Sequence, residues 1–311
     1  MPQRLRSAVS AYLEKNLSLA AWLCALGAIV LWAAFASMVG QARDVPPWLL
    51  TGISLCIGSL VSLPRMRAWR VPVRTWAFGA GCLFVYHVCL IGAFRLAPVA
   101  EANLINYLWP LLMVMLSGFV GRRATSAAAA IATPRLRAWL GCGIAFAGCA
   151  LAIQPSGGSA AFTMTQLAGY ACAAVAALTW AIYSLGSRWL PPYSSWAVGG
   201  FCLGAGLLAL AGHFAFEARY VPTGANWIAM AAIGLGPLGY AFVLWDRAMR
   251  AGDAAKIGTV AYATPVLSML GLALTLRDTH TNWPLIFTAS ALIVLGVLVG
   301  TLEPRRREQA S

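Results

Sequence analysis

Apolar runs of about 20 residues, the length that carries an α-helix across the hydrocarbon of a bilayer, recur ten times along this chain of 311 residues. They lie near 18–40, 47–64, 74–95, 98–121, 138–154, 166–188, 193–214, 224–247, 253–275 and 283–302. In hydrocarbon every backbone N–H and C=O must find its partner inside the protein, which leaves helices or closed barrels as spanning structures. These runs are apolar throughout rather than alternating, so the expected class is an all-α polytopic membrane protein with ten transmembrane helices. Only 10% of the residues are charged, whereas a soluble domain carries nearer ~25%.

The formal charge of +13 is explained by orientation rather than by nucleic acid, because the basic residues sit in short clusters between the apolar runs. With ten spans, 18 of the Lys and Arg residues fall in the termini and even-numbered loops and four (Arg43, Arg95, Arg219 and Arg277) in the odd loops. The basic side is the cytoplasmic one, so both termini are expected there. Residues 1–17, with Arg4, Arg6 and Lys15, form an amphipathic lead on that surface. The run from Leu19 to Val39 exceeds the ~7–15 residue core of a cleaved signal and reads as an uncleaved first span.

Spans four and nine carry the same pattern twice. Glu101-Ala-Asn-Leu-Ile-Asn-Tyr-Leu-Trp-Pro110 returns 155 positions later as Lys256-Ile-Gly-Thr-Val-Ala-Tyr-Ala-Thr-Pro265, with Arg95 matching Arg250, Tyr107 matching Tyr262 and Pro110 matching Pro265. Leu31-Trp32-Ala33-Ala34-Phe35 is echoed by Thr179-Trp180-Ala181-Ile182-Tyr183, and Arg43 with Pro46-Pro47 by Arg188 with Pro191-Pro192. The chain therefore divides into 18–154 and 166–302, followed by a basic cytoplasmic tail at 303–311. Five spans per copy is an odd number, so the second copy enters from the opposite side and the repeats are inverted in topology.

Matched, proline-interrupted segments in two halves are the sequence mark of a transport site at the repeat interface. Asn103, Asn106, Tyr107 and Pro110 stand at i, i+3, i+4 and i+7 and share one helix face. A lone Asn or Tyr in such a helix serves equally as glue between helices. Pro110 and Pro265 lack backbone donors and are candidate paired hinges.

This layout resembles the drug/metabolite transporter superfamily, in its ten-helix form built from two inverted EamA-type repeats. The stretch Arg95-Leu-Ala-Pro-Val-Ala-Glu-Ala-Asn-Leu-Ile-Asn-Tyr-Leu-Trp-Pro-Leu, with its weaker copy from Arg250, carries the likeness, and its wording is similar to the YddG-type aromatic amino-acid exporters. The resemblance implies a basket-like bundle in the bacterial inner membrane. Spans one, three, four, six, eight and nine would face a central cavity, with efflux of a small-molecule substrate from the cytoplasm, aromatic amino acids first. Other metabolites or drugs, such as neutral amino acids or amphipathic cations, are the alternative cargo.

An amino acid needs one site for its charged ends and another for its side chain. Trp32, Tyr86, Tyr107, Trp109, Trp180, Tyr183, Tyr240 and Tyr262 are candidates for an aromatic wall, and Asn103, Asn106 and His87 for the polar end. The tryptophans near span ends, Trp22, Trp48, Trp69, Trp76, Trp139, Trp196, Trp227 and Trp283, read as interfacial anchors. Glu101 in a first helical turn and Asp246 beside Arg247 are explained by the helix dipole or an ion pair. His87 is the one candidate intramembrane proton carrier, and a packed histidine fits it as well. Without a mid-span carboxylate, a facilitator or weakly coupled exporter, with net flux following the substrate gradient, is expected.

A membrane-embedded enzyme has no support: there is no His-Glu-x-x-His, Gly-x-Ser-x-Gly or phosphate loop. The eight cysteines lie within apolar runs and, with His87, His213 and His280 in separate segments, offer no metal-ligand spacing. No metal or other cofactor is expected. Spans five and ten, poor in polar groups, are expected as outer supports or a dimer face, and the protein as a monomer or homodimer.

Overall fold

The computed structural model describes residues 3–117, 136–152, 162–186, 190–251, 263–276 and 281–301. Among these residues the regular elements are all helical: α1 (Gln3–Gln41), α2 (Pro47–Ser59), a 3-10 segment (Leu60–Trp69), α3 (Val73–Leu96), α4 (Val99–Asn106) and α5 (Trp109–Ser117). They continue with α6 (Leu136–Ala152), α7 (Met164–Gly186), α8 (Ala197–Phe216), α9 (Gly224–Leu235), a π-turn (Gly236–Tyr240) and α10 (Ala241–Ala251), then α11 (Thr264–Thr275) and α12 (Trp283–Thr301). Among the described residues, six stretches are long and apolar enough to cross a bilayer, from Leu19–Gln41 to Gly224–Trp245, and shorter apolar helices stand at Trp139–Ala152, Thr264–Thr275 and Trp283–Val299. The protein is a multi-pass all-α membrane protein.

Three spans expected as continuous are interrupted. The second ends in the 3-10 segment, which contains Pro64 and a non-helical Arg65. The fourth is divided into α4 and α5 at Tyr107 and Leu108, and the eighth holds the π-turn around Pro237. Proline removes a donor from the ladder, and π-turns insert one residue and rotate everything that follows. The expected lead at 1–17 is continuous with the first span, since α1 runs unbroken from Gln3.

Lipid tails are as apolar as leucine, so helices in a bilayer associate through close packing of small residues rather than through the hydrophobic effect. Helix α2 lies along α8, α3 along α7 and α8, and α6 along α12. At the α2–α8 contact a Cβ on Gly206 would stand 2.7 Å from the Cys56 sulfur and 2.9 Å from the Gly52 carbonyl oxygen. That approach is open only to glycine.

Polar ties hold the end of the bundle that carries Asp44, Arg95, Glu217 and Tyr220. The Glu217 carboxylate accepts the Trp48 and Leu49 amides at 2.9 and 3.2 Å and meets His213 Nδ1 at 2.7 Å. It thereby caps the start of α2, whose first amides have no intrahelical partner. Arg95 donates to the carbonyls of Ala42 and Val45 at 2.7 and 3.0 Å. Thr223 and Asn226 form a capping box at α9, and Asn226 Nδ2 also donates to Asp44 Oδ2 at 2.7 Å. The Tyr220 hydroxyl lies 2.9 Å from that same carboxylate oxygen.

The Asn226 hydrogen bond, seconded by Tyr220, holds the Asp44 carboxyl below its ordinary value of 3.8. A depressed folded-state value contributes stability that is fully present above the unfolded value and lost as pH falls through the folded one. The unfolding midpoint of the purified protein should therefore drop as pH is lowered from about 5 to about 3. Asp44→Asn should flatten that drop. Identical slopes for the two proteins would remove Asp44 from the account.

Candidate functional site

Trp180, on α7, is where rings from four other helices meet, directly or through one neighbour. Its ring centroid lies 4.7 Å from Tyr86 of α3, 5.4 Å from Tyr183 one turn along α7, 6.0 Å from Phe242 of α10 and 6.5 Å from Trp109 of α5. The first three are inclined to it by 34 to 39° and Trp109 stands edge-on at 76°. Phe242 carries the chain of contacts on to Trp32 of α1 at 6.0 Å, and Trp32 to Trp245 at 5.4 Å. All seven rings are half-buried. Rings from five helices thus touch one another and each keeps part of its surface exposed, where a flat or apolar group can stack.

Of the residues expected as an aromatic wall, the structure thus brings together Trp32, Tyr86, Trp109, Trp180 and Tyr183. Tyr240 sits in the π-turn at 53% exposure, with no ring contact to this group among the described residues. Tyr262, like Lys256, lies outside the described residues. Phe242 and Trp245 were not singled out in the sequence. The signal was the Gly-Pro-Leu-Gly-Tyr breaker at 236–240, after which the extra residue of the π-turn resets the helical phase. Phe242 and Trp245, at i and i+3, then share a face.

The polar groups form two sets. Asn103, buried in α4, donates through Nδ2 to Ser268 Oγ of α11 at 2.9 Å, and the half-buried Tyr107 hydrogen-bonds with both. This set joins the two segments whose sequences repeat. Asn106 is also buried; it hydrogen-bonds the Tyr86 hydroxyl, while its Oδ1 accepts no hydrogen bond. The amide nitrogen is then the donor to Tyr86, whose ring stacks beside Trp180, and the buried Asn106 oxygen is left without a protein partner.

His87 belongs to the packing between these sets. Its Nδ1 lies 2.8 Å from the Leu83 carbonyl, which can only accept, so the proton is on Nδ1. The ring stands edge-on to Tyr86 at 4.8 Å and to Phe35 at 6.4 Å. Glu101, in the first turn of α4, is the one buried carboxylate among the described residues. The Tyr170 hydroxyl of α7 donates to it, and Gln166 Nε2 donates to that hydroxyl at 3.0 Å.

Pro110 lies in the first turn of α5, just past the break at Tyr107, and Pro265 in the first turn of α11. Among the described residues no group of His, Cys, Asp and Glu is placed to hold a metal ion.

Comparisons with known proteins agree with this architecture. The model of the EamA-like transporter family matches residues 167–301. The chain is 36% identical to the aromatic amino acid exporter YddG of Ancylobacter novellus over 294 residues, covering 92% of this chain and 98% of the relative. A solved crystal structure superposes with a TM-score of 0.69 at 35% identity, over 94% of this chain and 99% of its own. With a relative of that identity along nearly its whole length, ring-bearing helices at the bundle centre and broken helices in both halves, this chain belongs to the EamA-like transporter family.

Proposed function

We propose that this protein exports aromatic amino acids from the bacterial cytoplasm across the inner membrane, with both termini cytoplasmic. The cluster centred on Trp180 carries the reading: flat rings from several helices, inclined by less than 40° to Trp180 at three of its contacts, suit a flat cargo. The similarity to an aromatic amino acid exporter supports the same cargo. The side chain stacks beside Trp180, Tyr86, Tyr183 and Trp109. The Asn106 oxygen accepts from the ammonium group and the Tyr86 hydroxyl donates to the carboxylate. Asn103, Tyr107 and His87 hold this corner in shape, and the prolines at 110 and 265 let the broken helices bend as the access side changes.

Uptake of labelled phenylalanine and tryptophan into liposomes holding the purified protein should be saturable. Trp180→Ala should reduce it by roughly ten-fold or more, the loss of several stacking contacts. Undiminished aromatic flux in that variant would remove the ring cluster from the path.

Competition sorts the two ends of the substrate. Phenethylamine, which lacks the carboxylate, should lose its competition with phenylalanine in Asn106→Ala. Phenylpropionate, which lacks the ammonium group, should lose it in Tyr86→Phe. Each loss is expected at about ten-fold or more, one hydrogen bond to a charged group. Equal losses for both analogues in both variants would argue for a general collapse of the corner.

Flux follows the substrate gradient, since the buried Glu101 is engaged by Tyr170 as a tie between α4 and α7. Glu101→Gln keeps an acceptor for that hydroxyl and cannot carry a proton, so flux should stay within about two-fold of the parent. Strict dependence on an imposed pH gradient, abolished in Glu101→Gln, would place proton transfer in the cycle.

A further inference from the structure

Among the described residues, the 3-10 segment Leu60–Trp69 contributes no ring to the cluster around Trp180. Two kinds of side chain are exposed along this segment and the start of α3. Leu60, Leu63 and Met66 are 52, 44 and 57% exposed. Arg65, Arg67, Arg70 and Arg74 are exposed as well, and no acidic residue stands between Asp44 and Glu101. Leu60 and Leu63 are three apart, and at three residues per turn they share one face. An exposed apolar edge beside an uncompensated cationic one fits the boundary between acyl chains and anionic headgroups.

The segment is also held in place. The Arg65 guanidinium lies 4.3 Å from the Trp196 ring, just before α8, and Trp69 Nε1 donates to Ser62 Oγ at 3.0 Å. Ser62 sits so close to Gly199 that a Cβ there would fall 1.6 Å from its hydroxyl oxygen. Between these anchors an open cleft of about 580 Å³ is lined by Leu63, Arg65, Met66, Arg67, Ser194 and Trp196, with Pro64 and Ala68. Two guanidinium groups and a serine hydroxyl border it, with apolar side chains beside them.

We propose that this cleft binds the phosphodiester headgroup of an anionic phospholipid. The Arg65 and Arg67 guanidinium groups meet the phosphate, as guanidinium forks do, while Leu63 and Met66 lie against the upper acyl chain. Stacking on Trp196 keeps Arg65 pre-oriented, so less side-chain freedom is lost on binding. The cleft joins the end of the α2 span to the start of α8, so a lipid seated there bridges the two halves of the chain. The proposal does not depend on the cargo.

The test is thermal unfolding of the full-length protein in neutral detergent, titrated with short-chain phosphatidylglycerol, phosphatidylcholine of the same chains, or inorganic phosphate. Phosphatidylglycerol should raise the midpoint saturably and phosphatidylcholine should not. In Arg65→Gln/Arg67→Gln the half-saturating concentration should rise by about thirty-fold. Arg70→Gln/Arg74→Gln removes the same charge outside the cleft and should change it by less than about three-fold. All four arginines are exposed, so neither variant disturbs the core; Ser194→Ala serves as a milder third. Equal loss in both double variants would reduce the effect to general attraction, an equal shift from phosphatidylcholine would make it apolar, and saturation by phosphate alone would make it a free-anion site. Each of these outcomes overturns the proposal.

Discussion

A polar group inside hydrocarbon has no water to fall back on, and leaving it unpaired costs several kcal/mol. Helix α4 is built around that constraint. It breaks at Tyr107 and Leu108, where Pro110 removes the amide that would have bonded the Asn106 carbonyl. The side chains of the broken turn then look outward for partners. Asn103 finds Ser268 on α11, and Tyr107 joins the same pair. Interhelical bonds of this kind contribute only about 0.6 to 2 kcal/mol each, so their role is to fix which helices face one another at the centre rather than to hold the bundle together.

Stability along the flanks comes from a different source. Where α2 meets α8 there is no side chain at Gly206 to separate the backbones, and dispersion over close-packed atoms replaces the missing hydrophobic drive. Glu217 adds a charge-assisted cap at the start of α2. Close-packed flanks around a centre made of broken helices and half-buried rings distribute rigidity unevenly.

Much of this was legible in the sequence. Length and apolarity set the spanning helices, and the Glu101–Pro110 stretch marked the break between α4 and α5, while Lys256–Tyr262 of its copy lie outside the described residues. Trp32, Tyr86, Trp109, Trp180 and Tyr183 could be picked out because each lies deep in an apolar run, where an anchor has no use. Phe242 and Trp245 could not, because their direction depends on a single inserted residue in the π-turn, and periodicity read across that turn points to Tyr240 instead. The sequence also shows Asn103 and Asn106 as equivalent polar residues three apart. Only the placement of Ser268 and Tyr86 separates them, one amide spent on a neighbouring helix and the other with an oxygen to spare. Glu101 reads as a helix-end acid, and its tie to Tyr170 is a contact between residues 69 apart in the chain.

Under the proposed function, the chemistry of the ring cluster explains why no charged pair stands among its described residues. A carrier that must release its cargo on the far side gains nothing from very tight binding, since an interaction equally strong in every state does not speed passage. A buried carboxylate or guanidinium facing the zwitterion would hold it strongly and would itself cost several kcal/mol to desolvate when the site is empty. Ring contacts of about 0.5 to 1.5 kcal/mol each, with one neutral acceptor and one neutral donor, give recognition by shape and by hydrogen bonding at modest affinity. The empty site then pays little for being open, which is what a gradient-driven cycle requires at every return.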